Sequence, residues 1–203
     1  MRLRLNGGTL ARLRDLVRAS MSQAPIHIVP YEPSWVARFE EEQALLGKLL
    51  APWCRGPIEH VGSTAVPNLC AKPVIDIMVG VTSLAESEPA KDVLRRAGYQ
   101  YAEYKTDVMH WFCKPSFAMR THHLHLVPYQ SPLWRDRLSF RDALRANPAL
   151  AAEYAALKLE LADKFEFDRE AYTEAKSPFI ARILAAAGHQ AIQAVEADGR
   201  TSS

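Results

Sequence analysis

The stretch "EHVGSTAVPNLCAKPVIDIMV", residues 59–79, puts Gly62-Ser63-Thr64 straight after a β-rich run and, beyond residues 64–75, sets Asp76 inside an otherwise apolar strand. In a strand from Pro73 to Val81, side chains alternate. Val74, Asp76, Met78 and Gly80 fall on one face and Ile75, Ile77, Val79 and Val81 on the other, which reads as core. An ionised carboxylate between Val and Met is costly to desolvate unless it is paired, hydrogen-bonded or bound to a metal. A strand end meeting solvent, or an ion pair with Lys72 or an arginine, would meet that need structurally. A ligand site would meet it chemically.

The partners for a chemical reading lie in "RTHHLHLV", residues 120–127. Alternation sends His123 and His125 to one face and Leu124 and Leu126 to the other, so two imidazoles stand roughly 7 Å apart along one strand. With a carboxylate from a neighbouring strand they make a three-ligand set for a divalent cation, namely Asp76, His123 and His125. Histidines on the polar face of a strand also serve as plain hydrogen-bonding groups. The Gly62-Ser63-Thr64 step lets a phosphate approach backbone and hydroxyls closely, although Gly-Ser-Thr is also a simple turn. It is neither a Walker A loop nor a dinucleotide fingerprint.

Working outward, "SWVARFEEEQALLGKLL" has Ser34 as an N-cap and Val36, Phe39, Leu46 and Leu50 near helical period. Pro25, Pro30 and Pro33 punctuate a short strand at 26–29. Strands are expected near 57–62, 73–81 and within "YQYAEYK", "VMHWFCK" and "RTHHLHLV", with a helix over 87–97 capped by Ser87. From Trp134 the chain reads as helices near 134–146, 149–165 and 169–187, with Pro178 bending or interrupting the last. Mixed strands followed by a helical run give an α+β domain with a C-terminal helical subdomain. Residues 1–22 form a basic extension outside a domain at 23–190, and 191–203 read as a disordered tail. Met1 and Met21 are both potential starts.

A chain of 203 residues with 48% hydrophobic side chains can fill one sizeable core. The net charge of +2 is too mild for a dedicated nucleic-acid binder. No apolar run reaches the roughly 20 residues of a membrane helix. Three cysteines without Cys-x-x-Cys spacing suggest neither a disulfide framework nor a zinc knuckle, and fit a reducing cytoplasm.

A strand, Gly62-Ser63, and then a strand carrying Asp76 together resemble the nucleotidyltransferase superfamily. "HVGSTAVPNLCAKPVIDIMVGV", "RTHHLHLV", "FRDALRANPALAAEYAALKLELA" and "YTEAKSPFI" narrow the resemblance to the GrpB family, whose domain also occurs fused to dephospho-CoA kinase. The resemblance implies a nucleotidyltransferase-like mixed sheet, in which Gly-Ser positions a nucleoside triphosphate and strand carboxylates hold magnesium. Met78 departs from the superfamily's second carboxylate, which puts two-metal chemistry in doubt. Ser63 and Asp76 are the catalytic candidates. Gly62, Ser63, Thr64, Lys72, Arg120, Arg141, Lys158 and Lys176 are candidates for binding substrate, with Arg145 beside Arg141 on its helix face. Trp134 and Tyr172 read as packing residues. The expected cofactor is a divalent cation (Mn, Mg or Zn), and the expected partners are a nucleoside triphosphate and a small acceptor, without nucleic acid or membrane. Two other classes stay open, a non-catalytic nucleotide- or metabolite-binding module and a metal-assisted hydrolase.

Overall fold

A computed structural model describes residues 25–199. The basic extension and the end of the tail, 200–203, lie outside the described residues. Five strands form one mixed sheet: β1 (Cys54–Val61), β2 (Ile75–Val81), β3 (Gln100–Ala102), β4 (His110–Pro115) and β5 (Arg120–Pro128). Their spatial order is β1-β2-β5-β4-β3, with β2 and β5 parallel and every other neighbouring pair antiparallel. The three strands expected to build the site are therefore side by side. The expected strand at 26–29 reduces to one bridge, Val29 with Ala71, because Pro25 and Pro30 leave too short a run to pair further.

Alternation along β2 works as the sequence implies. Ile75, Ile77, Val79 and Val81 join Leu124, Leu126 and Phe112 in the main core, covered by α1 (Ser34–Leu49). The buried stripe of α1 runs through Trp35, Glu42 and Leu46, whereas Val36, expected in it, is exposed. Spacings of four, three and four residues through Trp35, Phe39, Glu42 and Leu46 define the inner face, and Val36 is one residue out of phase. Glu42 is buried because the Tyr99 hydroxyl, at 2.8 Å, and the Lys114 ammonium, at 2.5 Å, satisfy it. Ser34 is the first helical residue, and Pro33 holds the cap position without a side-chain hydrogen bond. Ser87 turns its hydroxyl to the Ser83 and Leu84 carbonyls instead of capping, so α2 (Ala90–Arg96) begins later than expected.

Across the sheet, Val61, Met78, Trp111, Cys113, Val127 and Trp134 form a second cluster. The C-terminal helices α3 (Pro132–Ala146), α4 (Pro148–Lys164), α5 (Arg169–Glu174) and α6 (Ser177–Gly199) follow. Ser131, Asn147 and Asp168 cap the first three through backbone N–H groups. The expected 169–187 helix is two, parted at Ala175–Lys176, and Pro178 stands in the first turn of α6, where it lacks no needed donor. α6 runs to Gly199, past residue 191, where the tail was expected to begin. The run from Ala191 to Asp198 contains no Gly or Pro to stop it.

These helices hold the 62–74 connection between β1 and β2. Val66 and Leu69 pack with Leu144, Tyr154, Phe179 and Ile183, while Arg145 donates twice to the Ala65 carbonyl, at 2.9 and 2.8 Å. Lys158 donates to the Cys70 carbonyl. The connection is thereby fixed against the helical layer, and a cleft opens between that layer and the sheet.

Candidate functional site

β2 and β5 are parallel in a register that sets Asp76 opposite His123 and Met78 opposite His125. Because side chains at matched register share a face, the carboxylate and both imidazoles project to the cleft side. The His123 Nδ1 is 2.9 Å from Asp76 Oδ1, and the His125 Nε2 is 3.7 Å from the same oxygen. Burial alone would raise Asp76, but the hydrogen bond from His123 and the closeness of both imidazoles outweigh it, holding the carboxyl well below its ordinary range. Asp76 is thus an anion at neutral pH, and His123 donates Nδ1–H to it. Burial, aided by the Arg137 charge, pushes His125 down to about 3, keeping it neutral.

Gly62 makes the approach of this carboxylate feasible. Its φ of 73° and ψ of −174° lie in a region that is essentially glycine-only, and a Cβ there would meet Asp76 Oδ2 at 2.5 Å. The glycine admits Asp76 itself, a role the phosphate-loop reading did not anticipate. Met78 is fully buried in the second cluster, so no second carboxylate stands two residues on. Among the described residues no three His, Cys, Asp or Glu side chains are arranged as a ready-made metal cage.

The cleft has a volume of about 1750 Å³, and Gly62, Ser63, Thr64, Lys72, Asp76, Arg120, His123, His125, Arg141, Lys158 and Lys176 all line it. The structure brings every candidate to one place but not all with free polar atoms. Thr64 is 2% exposed, and its hydroxyl donates to the Val74 carbonyl at 3.2 Å and is 3.0 Å from His60 Nε2. Arg141 is committed to Glu59 at 2.6 Å, the His60 carbonyl at 3.1 Å and Asp142 at 2.8 Å. Arg145 holds the Ala65 carbonyl. These three groups secure the loop rather than face a ligand.

Lys72 and Lys176 differ. Their ammonium groups lie 5.0 and 4.2 Å from the centroid of one Tyr172 ring, and Tyr172 itself is fully packed, as its sequence context suggested. Burial, with the Lys72 and Lys158 charges adding, pushes Lys176 down to about 7, while Asp76 opposes the shift. Burial pushes Lys72 and Lys158 down to about 8. Among the described residues no carboxylate lies within ion-pair distance of any of these lysines. Trp134, by contrast, packs against Tyr129. Arg137, Arg169 and Trp111 also line the cleft and were not singled out from the sequence. Arg137 carried a usable signal, four residues before Arg141 on the same helix face. Arg169 and Trp111 carried none, since their positions depend on how α5 and β4 fold back.

The description "GrpB protein" matches residues 25–186, most of the chain. The chain belongs to the GrpB family. It is 36% identical over 169 residues to a glutamate-rich protein GrpB of Alkalihalophilus pseudofirmus, covering 81% of this chain and 97% of that one. It is 40% identical over 177 residues to a UPF0157 protein of Pseudomonas aeruginosa, covering 83% and 72%. The crystal structure of a conserved protein GrpB from Enterococcus faecalis superposes with a TM-score of 0.72 at 36% identity, over 79% of this chain and 96% of that one. A dephospho-CoA kinase of Mycolicibacterium paratuberculosis is 29% identical over 192 residues, covering 81% of this chain but 46% of the kinase. The GrpB resemblance expected from the four quoted motifs is thereby established. No helix of the described GrpB chain is long and apolar enough to cross a membrane.

Proposed function

We propose that the cleft binds a nucleoside triphosphate and transfers its nucleotidyl, or a related phosphoryl-containing, group to a small acceptor. One observation carries this reading. Lys72 and Lys176 crowd a single ring on one wall of the cleft without carboxylate partners among the described residues. Holding like charges together in partial burial is unfavourable until a polyanion joins them. Ser63 lines the same cleft as Asp76, beside the Tyr154 side chain that it hydrogen-bonds, and in this reading it meets phosphate oxygens.

A divalent cation belongs to the reading through Asp76 and His125. The His125 Nε2 is buried, has no hydrogen-bond partner and is held neutral, as a ligand must be. His123 Nε2 is likewise buried without a partner, while its Nδ1 serves Asp76 and orients the carboxylate. An imidazole donor favours manganese or zinc over magnesium, and such an ion supplies Lewis-acid polarisation of a phosphoryl oxygen. Met78 removes the second carboxylate that two-metal transfer uses, so the proposed chemistry runs with a single cation.

Thermal-shift and calorimetric titrations with nucleoside triphosphates, with and without Mn²⁺, Zn²⁺ or Mg²⁺, test the proposal. A triphosphate should raise the melting temperature in a concentration-dependent way. Lys176→Gln should weaken it by about tenfold, the loss of one charge-assisted contact. Absence of stabilisation by every nucleotide at millimolar concentration would overturn the reading. Binding without pyrophosphate release in the presence of acceptor mixtures would instead favour a non-catalytic module.

A further inference from the structure

The cleft holds two further cations, Arg120 and Arg169, whose charges reach Lys72 on the Tyr172 ring. Arg120 opens β5. Its Nε donates to the Phe117 carbonyl at 3.1 Å, and its guanidinium lies 5.2 Å from the Trp111 ring centroid. One edge of the fork is thus fixed and one face stacked, which orients the remaining donors. Arg169, at the start of α5, lines the same cleft, and its Nε is buried without a hydrogen-bond partner. Asp168, the adjacent acid, makes no ion pair with it and turns its Oδ1 to the Glu170 and Ala171 backbone N–H groups at 3.2 and 3.0 Å. Among the described residues no carboxylate is within ion-pair distance of either guanidinium. Burial, and then the Arg169 charge, lowers Arg120, so the two guanidinium charges repel one another.

We propose that Arg120 and Arg169 form an oxyanion subsite, beside the lysine group, that holds the carboxylate or phosphate of a small acidic acceptor against the Trp111 ring. The guanidinium fork matches either oxyanion bidentately, which an ammonium does not. An unpartnered Arg169 Nε and a pre-oriented Arg120 supply the donors of a two-arginine clamp. The word acceptor rests on the nucleotide reading, whereas the oxyanion subsite rests on the arginines alone.

Calorimetry on the full chain separates the two. Succinate and glycerol phosphate, one dicarboxylate and one phosphate monoester, are titrated into the free protein and into protein saturated with a non-hydrolysable nucleoside triphosphate. The parent should bind one of the two in both states, and which one binds identifies the oxyanion class. Arg169→Gln should weaken that anion by about tenfold or more while leaving triphosphate affinity within about twofold, and Lys176→Gln should do the reverse. Arg169→Lys, which keeps charge but loses the fork, should fall between parent and Arg169→Gln. Loss of anion binding in Arg169→Gln despite absent triphosphate binding would uphold the subsite and sink the nucleotide reading. If neither anion binds the parent at millimolar concentration, or if Arg169→Gln binds as the parent does, the subsite is wrong.

Discussion

At Asp76, charge and shape separate with one substitution. Asp76→Asn keeps the volume beside Gly62 and an acceptor for His123 Nδ1–H at the 2.9 Å contact, but removes the anion. Losing the ionic part of that hydrogen bond should cost about 1–2 kcal/mol of stability, so the variant should fold. Cation-dependent nucleotide binding should disappear in calorimetry, because no second carboxylate stands nearby to replace the first. A variant that fails to fold, with a parent that binds neither cation nor nucleotide, would make Asp76 a structural partner only. The answer to why a carboxylate sits in an apolar strand was legible at this scale. Period two placed Asp76, His123 and His125 on one face, and the parallel register then joined them. Whether Thr64, Arg141 and Lys158 had free polar atoms was not legible. Their partners are backbone carbonyls or acids on other elements, which no local spacing encodes.

The turn between β1 and β2 acts as a single unit, and Gly62 is its most constrained point. Gly62→Ala adds a methyl at a glycine-only conformation, costing about 1–3 kcal/mol, and drives it against Asp76 Oδ2. Denaturant unfolding should show the loss. Nucleotide affinity should fall with it even at temperatures where the fold is intact, because the carboxylate is displaced. Unchanged affinity in the folded variant would detach Gly62 from the site. Element types were readable wherever chemistry is local. Ser131-Pro132 and Asn147-Pro148 signalled helix starts, and Pro178 signalled the break before α6. Readings failed where tertiary packing chose the phase. α1 turns Trp35 inward and leaves Val36 out because the sheet beneath it accepts the stripe through Phe39 and Leu46. Ser87 looked like a cap but satisfies carbonyls of the preceding turn.

Over the whole molecule, the helical layer and the sheet together confine cations that neither layer would crowd alone, and this makes stability depend on pH in a defined direction. In the folded chain Lys176 is pushed down to about 7 and Lys72 and Lys158 to about 8, in each case first by burial. In the unfolded chain each returns to the ordinary value of about 10.4. Between those limits the unfolded chain binds more protons, so the lysine contribution stabilises the fold as pH rises. The charged-state penalty is fully present below pH 7 and is relieved from there upward. The free protein should therefore gain melting temperature from pH 7 to pH 9, and Lys176→Gln should flatten the lower part of that rise. A bound polyphosphate reverses the sign. It favours the ammonium forms, draws the lysine values upward and takes up protons on binding near pH 8. Calorimetric enthalpies measured in buffers of different ionisation enthalpy should then differ by that uptake, and nucleotide affinity should decline toward pH 9. A free protein whose stability is flat across pH 7–9, together with buffer-independent binding enthalpies, would mean that the lysines are not held as a strained, anion-ready group.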